Sequence, residues 1–420
     1  MTDRFSTVQE AVDAIAAGEV VIVVDAEDRE NEGDFVCAAE RLTAEQVNFM
    51  LTGRGEFCVA VLPEVCRRLE VEPLVRHNTA PLKTAFMTPL DHKTARTGIT
   101  AAERARTVRE IVRPQSVPDD FIRPGHVHLL LAKEGGVLRR AGHTEAAVDL
   151  ARMAGLAPAG ALCEILNAEG ERASRDELVA LARRHHLRIV SIEQLIAHRR
   201  LNEKLVSRVA TARLPTLYGP FQVIVYEVQY ESQAPIALVM GDLATADKPP
   251  LVRMHSSCFT GDVLRSLRCD CGDQLQTALR QISEEGCGVL VYLPQEGRGI
   301  GFVEKIRAYA LQDEGFDTVE ANQELGFRAD SRDYGVGLQI LKDLGLSEIR
   351  LLTNNPKKVE AFNFRGFDVR VVEQISICVR PNRHNMRYLQ TKRDKLGHRL
   401  DIEPGPGAAD AERAVPEKAG

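Results

Sequence analysis

The chain has 420 residues, a formal net charge of −6 and 44% apolar residues, which is an ordinary composition for a globular protein. At about 150 residues per domain, this length predicts two or three domains. The negative net charge argues against nucleic acid or an anionic membrane surface as the main partner. The N-terminus lacks the apolar stretch of a secretory signal, and no apolar run approaches the roughly 18 residues of a membrane helix. Nine scattered cysteines do not suit a disulfide scaffold, so we expect a cytoplasmic protein with reduced thiols.

Strand-like runs alternate with helical periods along the whole chain. This alternation predicts an α/β (α+β) fold of two domains, each a mixed sheet packed with helices. In the first half the pattern predicts a helix over 7–17 and a strand over 19–24. Capping-box spacing marks three further helix starts, at Thr43 with Gln46, Thr100 with Glu103, and Ser174 with Glu177. In the second half we expect helices over 272–285, 302–314 and 356–364, and strands over 287–293, 349–354 and 367–374.

Two polar stretches divide this pattern. Residues 199–214 are basic and poor in large apolar side chains, which predicts a linker at 201–213 between domains at 1–200 and 214–400. Residues 401–420 are rich in Pro, Gly, Ala and charge, which predicts a disordered tail.

An acidic run, DAEDRENEGD at residues 25–34, follows the first predicted strand. A solvated acidic loop is the ordinary interpretation of such a run. Its position at the end of a buried strand favours a site instead. Carboxylates held close together bind a hard cation such as Mg²⁺, or their pKa values separate for acid–base work.

Two histidine motifs occur farther along the first half. GHVHLLL places His126 and His128 beside an apolar run, and RRAGHTEAA places Arg140, His143 and Thr144 at a predicted helix N-terminus. Free backbone N–H groups there, with Arg140, suit a phosphate, although an ordinary Thr cap fits as well. Taken singly, each histidine is more often structural than a ligand.

EDRENEGD, RPGHV, GGVLRRAGHTEA and AGALCEI occur in this order, and residues 5–200 resemble 3,4-dihydroxy-2-butanone 4-phosphate synthase. The resemblance implies conversion of D-ribulose 5-phosphate to L-3,4-dihydroxy-2-butanone 4-phosphate and formate, with Mg²⁺ or Mn²⁺. It implies metal ligation by Glu30 and His143, and proton transfer by His126 and Glu164. The implied sugar-phosphate contacts are Arg29, Glu30, Asp34, Cys58, Arg140, Gly142, His143, Thr144 and Glu164. Cys58 fits a plain buried thiol equally well.

Several positions depart from this family pattern. Ala26 stands where a second Asp is usual, Glu103 replaces a common Asp, and His128-Leu129 replaces an apolar residue and Pro. Met87 and Pro89 also alter the usual strand. An alternative interpretation is therefore a weakened or inactive first half.

Three cysteines lie close together in the second half, at Cys258, Cys269 and Cys271. Three thiolates suit Zn²⁺, and three protein ligands with an open position are typical of a catalytic zinc that activates water. A purely structural zinc is the alternative. Farther on, Glu296 and Arg298 lie on a glycine turn that has neither dinucleotide nor Walker spacing, and Lys358 lies in the first turn of a helix, which suggests an anion there.

RMHSSCFTGD, SLRCDCG, QEGRGIG, KIRAYALQD, LGFRADSRDYG and LLTNNPKK complete a second pattern, and residues 214–400 resemble GTP cyclohydrolase II. The resemblance implies hydrolysis of GTP to 2,5-diamino-6-(5-phosphoribosylamino)pyrimidin-4-one, formate and diphosphate. It implies one zinc per chain on the three cysteines, Mg²⁺ on the diphosphate, and a homodimer. The implied GTP contacts are Arg253, Met254, His255, Ser256, Ser257, Gln274, Glu296, Gly297, Arg298, Thr318, Thr353 and Lys358.

The same resemblance implies three catalytic residues. Asp330 is the expected proton acceptor, and Tyr309 acts in the later, formate-releasing step, although a helix-face aromatic residue would look the same. Arg332 is expected to be a nucleophile toward phosphorus, but a guanidinium stays protonated, so stabilisation of charge in the transition state is an equal alternative.

The two resemblances together imply a bifunctional riboflavin-biosynthesis enzyme that acts on GTP and ribulose 5-phosphate. A non-catalytic GTP-binding regulator with a structural zinc is the alternative from another class. Asp330, Arg332 and Tyr309, beside a cysteine set with no fourth cysteine nearby, argue against it.

Overall fold

The computed structural model describes residues 5–400 apart from 28, 328–329, 331, 333, 363–368, 378 and 380. The chain divides into two compact units, Met1–Asn202 and Glu203–Gly420. Within the described residues, no helix is both long enough and apolar enough to cross a membrane. The predicted tail at 401–420 lies outside the described residues.

The first unit is a seven-stranded mixed sheet with helices. Its strands are β1 (Val21–Val24), β2 (Gly33–Ala38), β3 (Cys58–Val61), β4 (Phe86–His92), β5 (Phe121–Leu131), β6 (Gly160–Glu164) and β7 (Arg188–Ser191). Its helices are α1 (Val8–Ala16), α2 (Ala44–Met50), α3 (Pro63–Arg68), α4 (Ala101–Val112), α5 (His143–Met153), α6 (Arg175–His185) and α7 (Ile192–Asn202). The strand order is β4-β5-β3-β6-β2-β1-β7, with β3/β5 and β1/β7 parallel and the other pairs antiparallel.

Near-continuous apolar strands explain this sheet. All four residues of β1, of sequence VIVV, are buried, as expected for a strand covered on both faces. Ile22 contributes to the apolar cluster on one face and Val23 to that on the other. The sheet therefore separates two cores, and the acidic run begins where β1 ends.

The second unit is also a seven-stranded mixed sheet with helices. Its strands are β8 (Val206–Thr216), β9 (Gly219–Val228), β10 (Ile236–Met240), β11 (Leu251–Ser256), β12 (Gly288–Leu293), β13 (Glu348–Leu352) and β14 (Arg370–Ile375). Its helices are α8 (Phe259–Asp262), α9 (Cys271–Glu285), α10 (Phe302–Asp313), α11 (Thr318–Glu324), α12 (Gly335–Asp343), α13 (Pro356–Phe362) and α14 (Met386–Asp394). The order is β14-β13-β11-β12-β10-β9-β8.

The parallel part of the second sheet places the polar motifs at one edge. The adjacent pairs β14/β13, β13/β11 and β11/β12 are all parallel. The segments that follow β11, β12 and β13 therefore leave the sheet at the same edge. In parallel sheets this edge is where ligands bind.

The predicted linker at 201–213 is wrong. Helix α7 continues to Asn202, and β8 begins at Val206 and pairs with β9 along its length. The basic residues misled the prediction because β8 is an edge strand whose side chains are mostly exposed. Arg199, which begins the basic stretch 199–214 and lies in α7, is buried and bonds to Asp149 at 2.8 Å.

Candidate active sites

The acidic loop after β1 is organised by the buried carboxylate of Asp25. Asp25 accepts hydrogen bonds from the backbone N–H groups of Glu30 at 3.0 Å and Glu32 at 2.9 Å. It also pairs with Arg29 at 2.9 Å, and Arg29 bonds to Glu30 in turn. The loop is therefore a folded structure that presents Glu30 and Glu32, rather than a solvated run of charges.

A buried pair of side chains faces this loop. His143, the first residue of α5, has its Nε2 atom 3.9 Å from Oδ1 of Asp34 on β2, and neither atom has a hydrogen-bond partner among the described residues. The imidazole also bonds to the backbone of Val23, and burial lowers the pKa of His143 to about 4. At neutral pH the imidazole is therefore uncharged, which is the form that binds metals.

Two overlapping groups at this place could hold a metal ion, with ligand atoms within 4.8 Å of one another. One group is Asp25, Glu30 and His143, and the other is Glu32, Asp34 and His143. Carboxylate oxygens with an imidazole suit Mg²⁺ or Mn²⁺, and the two unpartnered buried atoms lie where a cation would bond them. Burial and the neighbouring Glu30 and Glu164 raise the pKa of Glu32 to about 7. Glu32 and Asp25 also lie in the acidic run, but nothing in the sequence singles them out as candidate ligands.

Glu164 ends β6 and lies opposite Asp34 in the sheet register. Its Oε2 atom accepts the backbone N–H of Glu56 at 2.7 Å, and burial raises the pKa of the Glu164 carboxyl. A Cβ atom on Gly55 would lie 2.7 Å from the Glu164 Cβ atom, so only glycine fits beside it. A carboxyl whose pKa is raised in this way suits proton transfer.

Cys58 lies inside the sheet, with His128 on β5 and Leu162 on β6 as its register partners. Burial raises the pKa of the Cys58 thiol, so the thiol stays protonated and is a poor nucleophile. This environment is that of a packed thiol near the site. His128, which departs from the family pattern, pairs with Glu56 at 2.9 Å.

His126 is held by a buried carboxylate that the sequence analysis did not single out. Asp91, on β4, accepts the backbone N–H of His126 at 3.0 Å, and its second oxygen lies 2.7 Å from the ring Nδ1 atom. The side chain of His126 is 47% exposed, so its other ring nitrogen is accessible to a substrate. Asp91 could have been noticed only as a carboxylate near a strand end.

The start of α5 carries Arg140, Gly142 and Thr144. Gly142 is the N-cap and Thr144 is the second helical residue, so the alternative of a Thr cap is wrong. Arg140 bonds to Glu145 at 2.7 Å and to the Thr84 hydroxyl at 2.9 Å. These partners hold the guanidinium beside the helix N-terminus, where a phosphate would bind.

The second unit brings Cys258, Cys269 and Cys271 together, with sulfur atoms within 4.8 Å of one another. The Cys258 and Cys269 sulfurs are 3.7 Å apart. Tetrahedral zinc with bonds of about 2.3 Å places two sulfurs about 3.8 Å apart, so the spacing fits. A Cβ atom on Gly261 would lie only 2.9 Å from the Cys269 sulfur, so a residue with a side chain would clash with the triad at this position.

His255, the nearest histidine in sequence, is held away from this triad by Asp262. The His255 Nε2 atom lies 3.2 Å from the Asp262 carboxylate, and the ring stacks on Tyr292 at 5.5 Å between centroids. Asp262 also accepts the Tyr292 hydroxyl and the Cys258 N–H, each at 2.9 Å. The described residues therefore supply three thiolates and no fourth protein ligand.

A cavity opens beside the triad at the carboxyl edge of the parallel strands. It is lined by most of the residues expected to contact GTP, namely Arg253, His255, Ser256, Ser257, Gln274, Gly297, Arg298, Thr318, Thr353 and Lys358, and by Tyr309 and Arg332. Met254, Glu296 and Asp330 are not in this lining. Met254 is a core residue whose carbonyl accepts Lys358 Nζ at 2.6 Å.

The cavity is strongly cationic. Its lining includes six Arg and Lys side chains, namely Arg253, Arg298, Lys305, Arg332, Lys358 and Lys392. Burial, then Arg253 and Arg332, lower the pKa of Lys358 well below its usual value. A bound polyphosphate would relieve this mutual repulsion, so the lining suits a nucleotide triphosphate.

A buried chain of hydrogen bonds stiffens the cavity wall. Arg253 donates to Gln274 at 2.5 Å, and Gln274 donates at 2.5 Å to Asp270, which lies between Cys269 and Cys271 in sequence. Asp270 also pairs with Lys392 of α14 at 2.8 Å. Sequence reasoning missed Lys392, and with it Tyr388 and His398 in the same lining, because nothing in a basic helical stretch marks it as buried.

Asp330 and Arg332 form a closed pair. Arg332 donates to the two Asp330 oxygens at 2.8 and 2.5 Å. Burial alone would lower the pKa of Arg332, but Tyr334 and Asp330 outweigh it and raise the pKa. Burial alone would raise the pKa of Asp330, but the Arg332 hydrogen bonds outweigh it and lower the pKa. Both groups are therefore charged at neutral pH.

Together, one carboxylate–imidazole cluster and one cysteine triad in a cationic cavity give this α/β chain the arrangement of an enzyme with two active sites, each able to hold a metal ion. The sequence profile of 3,4-dihydroxy-2-butanone 4-phosphate synthase matches residues 9–198, and that of GTP cyclohydrolase II matches residues 207–376. The chain belongs to the bifunctional riboflavin-biosynthesis proteins that join these two domains. It is therefore an enzyme with a lyase and a hydrolase activity.

Known relatives span nearly the whole chain. The riboflavin biosynthesis protein RibBA of Bacillus cereus (strain AH187) is 53% identical over 399 residues, covering 95% of this chain and 100% of that protein. RibBA of Bacillus cytotoxicus is 51% identical over the same coverage. The crystal structure of RibBX, a two-domain 3,4-dihydroxy-2-butanone 4-phosphate synthase from A. baumannii, has a TM-score of 0.69 and 34% identity. It covers 88% of this chain and 99% of its own.

Proposed function

We propose that the cysteine triad and its cationic cavity form the GTP site, and that the cluster around His143 forms the ribulose 5-phosphate site. The proposal is carried by one observation, that the three cysteines line the same cavity as the six Arg and Lys side chains. A structural zinc would be enclosed rather than lie at a cavity wall.

At the GTP site, Cys258, Cys269 and Cys271 hold one zinc ion per chain. When bound, zinc supplies Lewis acidity for the attack of water on C8 of guanine. The cationic lining binds the triphosphate with Mg²⁺, and Arg332 stabilises negative charge on the reacting phosphate, because its pKa is raised and it stays protonated. Asp330, held ionised by Arg332, accepts a proton. Tyr309 acts in the release of formate.

At the ribulose 5-phosphate site, Glu30 and His143 hold Mg²⁺ or Mn²⁺, with Glu32, Asp34 and Asp25 within reach. When bound, this metal polarises the substrate carbonyl. Glu164, whose pKa is raised, and His126 move protons, and Arg29, Arg140, Gly142 and Thr144 bind the sugar phosphate. Cys58 lines the site as a packed thiol.

We further propose that the chain acts as a cytoplasmic homodimer on small molecules, without nucleic acid or membrane partners. A second copy of the chain would cover the exposed apolar side chains of α8, α10 and the loop after α8, namely Phe259, Val263, Leu264, Phe302, Val303 and Ile306. Sedimentation of Leu264→Asp should then show a shift toward monomer. Leu217→Asp, at a fully exposed hairpin residue, should sediment as wild type does.

A two-by-two assay tests the assignment of the two sites. Cys258→Ser should abolish formate release from GTP and should lower the zinc content of the protein. It should leave formate release from ribulose 5-phosphate intact. Glu30→Gln should do the reverse, because it removes a carboxylate ligand from the other site. The matched controls are Cys287→Ser, outside the triad, and Glu27→Gln, exposed in the same acidic loop.

The outcomes separate the parts of the proposal. Loss of both activities from either folded variant would contradict two independent sites. Full GTP turnover by Cys258→Ser, with no zinc in the active protein, would contradict the triad as the catalytic centre. Inactivity of wild type toward ribulose 5-phosphate would instead support the weakened first half that Ala26 suggested.

A further inference from the structure

Lys305, in the first half of α10, is one of the six basic side chains of the cavity lining, and it also contacts a cysteine of the triad. Its side chain is 8% exposed. Burying an ammonium group is costly unless its hydrogen bonds are replaced by protein partners. The partners of Lys305 therefore show what the protein gains from this side chain.

The ammonium group of Lys305 has three partners, which matches its three N–H donors. Its Nζ atom lies 3.1 Å from the Cys258 sulfur, 2.9 Å from the Thr260 hydroxyl and 2.6 Å from Oε1 of Glu296. It also lies 5.6 Å from the centre of the Tyr309 ring. Lys305 thus touches a zinc ligand and the glycine turn, and it borders the tyrosine of the later step.

Glu296 completes the connection between the turn and the cysteine loop. Its Oε2 atom accepts the backbone N–H of Phe259, which follows Cys258, at 2.7 Å. Both carboxylate oxygens of Glu296 are thereby engaged. Glu296 holds Lys305 and the cysteine loop in place.

We propose that Lys305 is a positioning residue of the GTP cyclohydrolase reaction, which orients the Cys258 thiolate and decreases its electron donation to the metal. The inference rests on the proposed zinc triad. Three thiolates around a divalent ion leave a net charge of −1, and the N–H···S contact of Lys305 draws electron density from one of these sulfurs. Hydrogen bonds to ligand atoms orient the ligands and tune the metal in just this way.

The simpler alternative to this proposal is that Lys305 serves only as the counterion of Glu296. Such a role would affect the stability of the turn and would leave the electronic state of the Cys258 sulfur unchanged. A spectroscopic signature of the metal–sulfur bond separates the two roles. The sulfur-to-cobalt charge-transfer band of the Co²⁺-loaded protein provides it.

The experiment compares Lys305→Met, Lys305→Arg and the control Arg307→Gln in the full chain, each loaded with Co²⁺. Arg307 lies on the same helix and is 65% exposed. Among the described residues, its side chain forms an ion pair with Glu304 alone. Lys305→Met should move the charge-transfer band to longer wavelength, because the sulfur lone pairs lose a cationic donor. It should also lower kcat for GTP by about 10- to 100-fold. Lys305→Arg should restore the band, and Arg307→Gln should match wild type.

Each outcome bears on the proposal. An unshifted band in folded, metal-loaded Lys305→Met overturns the role of Lys305 and leaves the zinc triad standing. Loss of metal from Lys305→Met with retention in Lys305→Arg supports it, because the N–H···S contact then decides ligation. Absence of any charge-transfer band in Co²⁺-loaded wild type contradicts the triad itself, and the role of Lys305 fails with it.

Discussion

Tyr309 lies beside the segment that follows Cys258, because its hydroxyl is 3.2 Å from the Thr260 hydroxyl. Burial raises the pKa of Tyr309, so the phenol is protonated at neutral pH and acts through its O–H group. We expect Tyr309→Phe to bind GTP normally and to stall with the formyl group still on the product. Mass spectrometry of the product measures this.

Tyr230→Phe, at an exposed turn of the same unit, is the control for the Tyr309 variant. It should release formate at the wild-type rate. Fully deformylated product at an unchanged rate from Tyr309→Phe would assign Tyr309 to helix packing instead.

Asp91 offers a second residue-scale prediction, in the first unit. Asn in place of Asp91 keeps the shape but replaces the carboxylate oxygen beside Nδ1 with an amide group, so it no longer fixes the tautomer of the His126 ring. Since general acid–base catalysis contributes about 10²–10⁴-fold, we expect kcat for ribulose 5-phosphate to fall by up to that factor with little change in KM. Formate assays measure both constants.

Asp120→Asn, which removes a surface partner of Lys93, serves as the control for Asp91→Asn. GTP turnover by both variants should equal that of wild type. A KM effect without a kcat effect in Asp91→Asn would show that Asp91 shapes substrate binding rather than the His126 ring.

The residues of the two sites differ in how far the sequence could predict them. Cys269 and Cys271 are separated by a single residue, so the sequence alone places them close together. Soft ligands at this spacing indicate zinc. Lys305 is different, because a lysine in a helical period is usually solvated. Only the packing of α10 against the cysteine loop buries it, and that packing is a tertiary property.

At the scale of elements, helix starts were the most predictable feature. Capping boxes form at Thr43 and Ser174 as the spacing predicts, because both partners are within one turn. Thr100 caps its helix, but the Glu103 carboxylate reaches back to the N–H groups of Arg96 and Thr97 instead of that of Thr100. A loop folded against the helix thus redirects one local hydrogen bond.

The contact between α5 and α7 yields an element-scale prediction. Arg199 and Asp149 form a buried ion pair at 2.8 Å, and Arg199 also donates to the Gly135 carbonyl at 2.6 Å. Removing one partner of such a pair costs up to about 3–5 kcal/mol, and Asp149 would then keep only the more exposed Arg152 and the Val137 N–H. We expect Arg199→Met to lower the free energy of unfolding of the first unit by this amount, as measured by urea denaturation.

Arg152 provides a control for this measurement because it bonds the other oxygen of the same carboxylate, at 2.7 Å, but is 38% exposed. Arg152→Met should cost about 1 kcal/mol or less, as exposed pairs do. Equal effects of the two substitutions would mean that burial of Arg199 does not control the energy of the pair.

At the scale of the whole molecule, the sequence predicted two domains, each a mixed sheet packed with helices, but not the order of the strands in either sheet. Alternation of strand and helix is a local signal, whereas the strand order β4-β5-β3-β6-β2-β1-β7 depends on pairing between distant segments. The predicted linker failed for the same reason. Most side chains of β8 are exposed, so its sequence does not indicate a strand, although Val206 contributes to the apolar core of the second unit.

Each unit has its own core, which predicts that each folds as an independent fragment. The buried residues of the apolar clusters in the first unit all lie within 8–195. Those of the clusters in the second unit all lie within 206–377. Fragments 1–202 and 203–420 should therefore unfold cooperatively and release formate from ribulose 5-phosphate and GTP, respectively. Circular dichroism during urea titration and the two formate assays test this.

The position of the cut gives the sharper comparison. Fragment 214–420, which the linker prediction would recommend, lacks Val206 and the Arg208–Asp343 pair, and it leaves most of β9 as an unpaired edge. Exposed edges favour aggregation, and loss of a buried Val side chain costs about 1.5–3 kcal/mol. We expect fragment 203–420 to be the more stable and soluble of the two. Equal stability of both would mean that β8 adds nothing to the second unit, and recovery of activity only on mixing 1–202 with 203–420 would mean that the units need each other to fold.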